Sequence, residues 1–329
     1  YSLCFVSMAL RSLLRGAPAP RLAVASARRG AAEKLTICDV GPRDGLQNQK
    51  KQVSTEDKIG LVKGLYGAGL RYIELTSFVS PKAVPQMADC VEVVAGTADL
   101  PDLRAPVLVI NEKGYARAKA AGAKAFTVVA VCSDGLAMKN NRQPAAQTIA
   151  TAAGIARQAR ADGGYARVAL AGAWWCPFDG RVDPGQVMGF VEETMEAGPN
   201  ELSITDVIGH AQPWEVRSLL TKICDKYPGV VSAHFHDTQA LGLSNAVAAL
   251  EAGVRIFDSS VSGLGGCPFA PGAAGNLATE DLVLLAHKLG FDTGIDLEKL
   301  WEVSATTGPM VDKETGGRTK GYWLSRAKA

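Results

Sequence analysis

A single unit repeats along this chain: a short apolar run, a polar or Gly-rich link, then a helical stretch closed by glycine. The apolar runs are LTICDV (35–40), YIELTSF (72–78), APVLVI (105–110), AFTVVAV (125–131), YARVALAG (165–172), ELSITDV (201–207), VVSAHFHD (230–237) and VRIFDSSVSG (254–263). Between them lie helix-like segments such as STEDKIGLVKGLYGAG, NEKGYARAKAAG, DPGQVMGFVEETMEAG and SNAVAALEAG. Ser54 ahead of acidic residues, and Asp183 followed by Pro184, are helix-start signals. Gly69, Gly122, Gly163, Gly198, Gly253 and Gly290 suit the left-handed position just past a helix end. Eight such units in about 260 residues, with no break in composition, predict an α/β chain folded as a (β/α)8 TIM barrel. A doubly wound open sheet would place a GxGxxG turn after its first strand, and this chain has GPRDGLQNQ there. DLEKLWEVSATTGPMV (296–311) reads as one helix more, so a single domain over residues 33–329 is expected, with a C-terminal helical extension from about residue 291.

Composition excludes several classes. With 47% hydrophobic and 21% charged residues the chain is globular rather than disordered. No apolar run approaches the roughly 18 residues that a membrane helix needs. A net charge of +2 offers no clustered basic face for nucleic acid. Neither a membrane nor nucleic acid is therefore an expected partner. That charge is unevenly spread: Arg11, Arg15, Arg21, Arg28 and Arg29 fall in the first 32 residues, which contain no Asp or Glu. With those five set aside, 30 basic residues face 33 acidic ones. Arg-rich and acid-poor composition predicts an organelle transit peptide over residues 1–32, against the alternative of a basic arm on a cytosolic protein. The chain opens on Tyr1, and the pattern improves when read from Met8, so residues 1–7 are not expected to belong to the natural protein. Seven cysteines without any CxxC pair read as free thiols rather than as disulfides or thiolate zinc.

In a barrel the C-terminal ends of the strands carry the active site. Reactive side chains gather at the ends of these runs: Arg43 and Asp44 after the first, Glu74 in the second, Asp206 in the sixth, and His234, His236 and Asp237 in the seventh. Strand side chains alternate, so His234 and His236 share one face, and with Phe235 outward that face is the barrel interior. Two imidazoles with Asp44 form a mixed, hard-leaning donor set that suits Mg2+ or Mn2+ at least as well as Zn2+. Asp39, Asp237 and Asp258 flank the mouth as helix caps or as partners orienting the histidines, the latter role favoured for Asp237. Between residues 260 and 282 a Gly-rich stretch carries Cys267, either a thiol placed over substrate as acid or base, or a bystander in a phosphate-binding turn. By residue type alone Asn276 is a helix cap before a metal ligand. Trp174 and Trp175 are core or a wall facing the substrate.

Four stretches, VGPRDGLQNQK (40–50), TSFVSPKAVPQM (76–87), HFHDT (234–238) and SGLGGCPFAPGAAGNLATEDL (262–282), closely resemble the 3-hydroxy-3-methylglutaryl-CoA lyases, a branch of the DRE-TIM metallolyases. The resemblance spans residues 34–290. It implies a divalent-metal-dependent carbon–carbon lyase that cleaves an acyl-CoA into acetyl-CoA and acetoacetate, in leucine breakdown and ketone-body formation in the mitochondrial matrix. It also implies that Asp44, His234, His236 and Asn276 are the metal ligands, which reverses the preference for Asn276 as a cap. Arg43 would polarise the thioester carbonyl, Cys267 would be the loop thiol, and Glu74 and Asp206 the supporting acid–base and orienting carboxylates. A homodimer is the protein partner expected. Departures from the family pattern fall at Leu75, Trp174, Trp175, Thr205 and Val207, all around the substrate. A related 3-hydroxyacyl-CoA, cleaved or formed by condensation, is the alternative they raise.

Overall fold

The computed structural model describes residues 32–266 and 275–326, so the expectations for the N-terminal segment and for Cys267 fall outside the described residues. All eight apolar runs become parallel strands: β1 (Thr36–Asp39), β2 (Thr76–Ser77), β3 (Pro106–Val109), β4 (Ala125–Val131), β5 (Tyr165–Ala171), β6 (Glu201–Asp206), β7 (Val231–Phe235) and β8 (Ile256–Ser259). From β2 to β8 each strand pairs with its sequence neighbours, and β8 pairs with β1. The ring is drawn shut by a parallel bridge between Asp39 and Ile73. There Asp39 N–H donates to Tyr72 O over 3.0 Å and Glu74 N–H to Asp39 O over 2.9 Å. The expected TIM-barrel-like α/β architecture is present, with β2 shorter than its apolar run because Tyr72 and Ile73 join only through isolated bridges.

The helices that follow the strands are α1 (Thr55–Gly67), α2 (Cys90–Gly96), α3 (Glu112–Ala120), α4 (Asp134–Asn141), α5 (Ala145–Ala161), α6 (Pro184–Glu196), α7 (Pro213–Lys226), α8 (Gly242–Glu251) and α9 (Thr279–Lys288). Side-chain oxygens of Ser54 and Asp183 cap α1 and α6 by accepting the N–H of Asp57 and Gln186. The closing glycines take the left-handed conformation their position demands, as at Gly69 with φ +104°. There a Cβ would lie 2.4 Å from Gly294 O, so glycine is required twice over. Two further helices, α10 (Leu297–Val311) and α11 (Lys320–Arg326), pack behind the last unit. No helix among the described residues is long and apolar enough to cross a membrane.

Strand alternation sorts the side chains into two layers. Val168, Leu170, Leu202, Ile204, Ala233 and Phe235 join Leu61, Leu65, Val191, Leu219 and Ile223 of the helices in one apolar core. The opposite set, facing the barrel axis, is polar. Arg167 is 1% exposed and lies between Glu201 and Asp258. Its Nε is 2.8 Å from Glu201 Oε1, at an angle that makes an ion pair rather than a hydrogen bond. Ser232, Tyr72 and Tyr165 hydroxyls all donate to Glu201, over 2.6, 2.9 and 2.8 Å.

Asp39 faces the other way and ties β1 to the last barrel unit. It accepts Gly41 N–H over 2.8 Å and the Thr279 hydroxyl over 2.6 Å. Complete burial pushes its carboxyl up from 3.8 to about 7, against those two hydrogen bonds. A raised folded-state pKa means that the folded protein holds a proton the unfolded chain releases. The resulting stability is complete below pH 3.8 and is lost as pH rises through about 7. Asp39→Asn, whose single carbonyl oxygen can still accept Gly41 N–H while its amide donates to the Thr279 hydroxyl oxygen, has no titrating group and is expected to flatten the fall in urea midpoint between mildly acidic and neutral pH. An unchanged slope would remove Asp39 as its source.

Candidate active site

Residues brought together at the mouth come from four separated strand ends. After β1 the chain makes one tight helical turn, Gly41–Gly45, stacked on Val40 O, which accepts the N–H groups of Asp44 and Gly45. This turn aims both Arg43 and Asp44 at the mouth. Gly41 and Gly45 are obligatory, since added Cβ atoms would lie 2.7 Å from Asp39 Oδ1 and 2.8 Å from Leu264 Cβ. Arg43 donates from Nε to Glu74 Oε2 and from its NH1 nitrogen to Asp44 Oδ1, each over 2.5 Å. Burial works against the guanidinium charge, but the two carboxylates outweigh it and hold its pKa above the ordinary value. Burial likewise acts to raise Asp44, yet Arg43 and the two imidazoles carry it down to about 2. Asp44 is therefore a carboxylate at neutral pH.

His234 and His236 flank Phe235 as the alternation predicts, both nearly buried, with ring centroids 5.3 Å apart. One ligand atom each from Asp44, His234 and His236 lies within 4.8 Å of the others. The Nδ1 of His234 is 3.0 Å from Asp258 Oδ2, the oxygen that also receives Arg167. That contact places the proton on Nδ1 and leaves the Nε2 lone pair for a ligand bond. Desolvation, with help from His234, lowers His236 to about 4, so its imidazole is neutral at working pH.

Asn276 completes the group. Its amide nitrogen donates to Asp44 Oδ2 over 2.8 Å and to Leu264 O over 3.0 Å. The Asn276 Oδ1 is buried without a partner among the described residues, as is His236 Nδ1. Buried unpaired polar atoms of this kind are rare in folded proteins. Two of them beside a carboxylate and an oriented imidazole could hold an oxygen- and nitrogen-ligated divalent cation. The cap position of α9 belongs to Ala278, not to Asn276.

Two expectations change on the structure. Asp258, and not Asp237, orients a histidine. Asp237 instead accepts Gly242 N–H at the start of α8 and pairs with Arg318. The Asp206 side chain turns to the outer face, in register with Phe235, while its backbone carbonyl accepts the His236 N–H over 3.3 Å. Burial raises its pKa, and its two oxygens accept the N–H groups of His210 and Ala211 over 3.2 and 2.9 Å, tying down the loop after β6. Trp174 is core, packed on Phe235 at 6.0 Å, while half-buried Trp175 stands beside His210 at 6.3 Å on the β5–β6 rim. Leu75 and Thr205 are buried, and Val207 is half-buried against the core. The interior ion network of Arg167, Glu201 and Asp258 is not marked in the sequence except by three charged residues at inward strand positions.

The HMGL-like family pattern matches residues 34–307. The mitochondrial hydroxymethylglutaryl-CoA lyase of Mus musculus is 41% identical over 298 residues, 90% of this chain and 92% of that one. A cytoplasmic 3-hydroxy-3-methylglutaryl-CoA lyase of Rattus norvegicus is 38% identical over 295 residues, 89% and 86% of the two chains. The crystal structure of an HMG-CoA lyase from Acinetobacter baumannii in complex with coenzyme A and 3-methylmalate superposes with a TM-score of 0.83 at 36% identity, covering 87% of this chain and 94% of that one.

Asp258→Asn removes the charge that fixes His234 while preserving size, and is expected to weaken Mn2+ binding by roughly 10- to 100-fold in a calorimetric titration. Asn276→Ala is expected to weaken it as well. Unaltered affinity in both variants would exclude this cluster as the metal site.

Proposed function

This chain belongs to the HMGL-like family, and from that membership and the geometry of its mouth we propose that it cleaves 3-hydroxy-3-methylglutaryl-CoA to acetyl-CoA and acetoacetate. The observation that carries the reading is the convergence of Arg43, Asp44, His234, His236 and Asn276, with two buried polar atoms among them that have no partner among the described residues. Asp44, His234, His236 and Asn276 are the residues we assign to a divalent cation, Mg2+ or Mn2+. When bound, the cation lowers the pKa of the substrate C3 hydroxyl and steadies the oxygen that becomes a ketone.

The remaining tasks fall to side chains. Glu74 is interior, and its Oε1 is buried without a partner; we assign it the proton of the C3 hydroxyl. As that proton leaves, the C2–C3 bond breaks, its electron pair moves to C2, and C3 becomes the carbonyl of acetoacetate. The fragment at C2 is the enolate of acetyl-CoA. Arg43, clamped by Glu74 and Asp44, holds the charge that grows on the thioester oxygen. Cys267, or water beside it, returns a proton to C2. Asp206 contributes by orientation, through the loop that carries His210.

Other parts of the reading rest on sequence and relatives. The Arg-rich residues 1–32 favour a cleaved transit peptide and the mitochondrial matrix, where relatives such as the Mus musculus enzyme are named, over the cytoplasmic setting of the Rattus norvegicus one. We assign residues 33–329 to one lyase domain, with α10 and α11 as its extension, working as a homodimer. Trp175 and His210 narrow the β5–β6 rim, which is the observation favouring a second reading, a related 3-hydroxyacyl-CoA as substrate.

Purified protein with Mg2+ or Mn2+ is expected to release acetoacetate from 3-hydroxy-3-methylglutaryl-CoA, and to do so faster than from other 3-hydroxyacyl-CoA esters. No release by fully metallated protein would sink the activity, and a faster competitor would move the substrate. Cys267→Ala is expected to lose on the order of 100-fold or more in kcat, the usual worth of a positioned acid, with Mn2+ binding unchanged. A fully active variant would end the thiol's role.

A further inference from the structure

Near its end the described chain returns to the mouth from behind. After α10 the segment Gly316–Thr319 lies across the start of α9 and points its backbone N–H groups into two buried carboxylates. Gly317 N–H donates to Glu280 Oε1 over 2.9 Å, Arg318 N–H to Asp281 Oδ2 over 2.7 Å, and Thr319 N–H to Asp281 Oδ1 over 3.0 Å. The Thr319 hydroxyl adds a 2.6 Å bond to the same oxygen. The approach is close enough that a Cβ on Gly317 would sit 2.7 Å from Asp281 Oδ1 and 2.8 Å from Ala278 Cβ. The segment is thereby held in one place, and Arg318 projects from it with a defined origin.

Its guanidinium meets Asp237, with Nε at 2.7 Å and an NH2 nitrogen at 2.6 Å from Oδ2. Asp237 is itself fixed on two other sides. Its Oδ1 accepts Gly242 N–H over 2.9 Å, and its own N–H donates to Gly275 O over 3.1 Å. Asp237 directly follows His236, and Gly275 directly precedes Asn276. His236 and Asn276 also face each other in an antiparallel bridge. The bond between Asp237 and Gly275 is therefore the joint that sets one proposed ligand against the other.

We propose that Arg318 is a positioning residue for the metal centre, bracing Asp237 so that His236 and Asn276 are held at ligand spacing. The inference rests on the ligand assignment made above. An ordinary ion pair with one partner about half exposed adds little to global stability. A brace on a ligand pair has a different signature: it changes how well the donors converge without changing how hard the chain is to unfold.

Full-length protein provides the test, with Mn2+ as the probe. Arg318→Met is expected to weaken Mn2+ binding by about 5- to 10-fold, the lower end of what outer partners of metal ligands contribute, with the urea midpoint unmoved. The bound-Mn2+ electron paramagnetic resonance line is expected to broaden as the donor set loosens. Arg318→Lys, which keeps the charge but offers one ammonium where Arg318 places two N–H groups on Asp237, is expected to recover part of the lost affinity. If the parent protein binds Mn2+ and Arg318→Met binds it equally well, the brace is wrong while the metal centre stands. If the parent protein binds no Mn2+, the ligand assignment falls and takes the brace with it. Should Arg318→Met lower the urea midpoint together with affinity, and Arg318→Lys rescue neither, the side chain is structural and the proposal is overturned.

Discussion

A guanidinium cannot sit inside a barrel without compensation, and Arg167 is 1% exposed at the centre of this one. Taking such an ion out of water costs several kcal/mol after relaxation, repaid only by close countercharges and hydrogen bonds. Asp258 and Glu201 supply those charges, and Ser203 accepts from the same guanidinium over 2.9 Å. Two acids around one base leave an excess negative charge in the axis. At the lower end it is met by the hydroxyls of Tyr72, Tyr165 and Ser232, and at the upper end by His234. The orientation of an imidazole at the mouth thus follows from how the barrel interior solves its charge problem. Asp258 remains ionised because, although burial acts to raise its pKa, Arg167 and His234 pull it below the ordinary carboxylate value.

Much of this was legible before any coordinates. The period of apolar runs and closing glycines specified all eight strands, because each unit must bury one strand face and end one helix within a few residues. His234 and His236 declared a shared face through two-residue spacing alone. What spacing could not convey is contact between residues far apart in sequence. Arg167, Glu201 and Asp258 meet only because β5, β6, β7 and β8 lie in order with a fixed register. Asp237 stands next to a histidine in the chain, yet the partner is Asp258, the in-register neighbour of His234 on the adjacent strand and 24 residues away in sequence. Asp206 was read as part of the cluster because it ends a strand, whereas alternation turns it to the outer face beside Phe235. Residue type alone makes Asn276 a cap and the family resemblance makes it a ligand; the cap position at Ala278 and the Asn276 Oδ1 that has no partner among the described residues favour the ligand.

The charge of the mouth gives the chemistry a direction. Arg43, Asp44 and Glu74 together carry one net negative charge, and a neutral His236 adds none. A dication placed on Asp44 and the imidazoles reverses the sign of the cluster, from one negative to one positive. A hydroxymethylglutaryl thioester is anionic at its acyl end and, through its phosphates, at its nucleotide end. Before metal binds, Asp44 and Glu74 oppose its approach; afterwards the cluster attracts it. A cation held there would be coupled to the substrate through one field, and by thermodynamic reciprocity each would raise the affinity of the other by the same factor. The same field explains why Arg43 is held by two carboxylates rather than left free. With Nε on Glu74 and NH1 on Asp44, the guanidinium has a fixed orientation, and its NH2 nitrogen is the group left for the thioester oxygen in the role proposed for it.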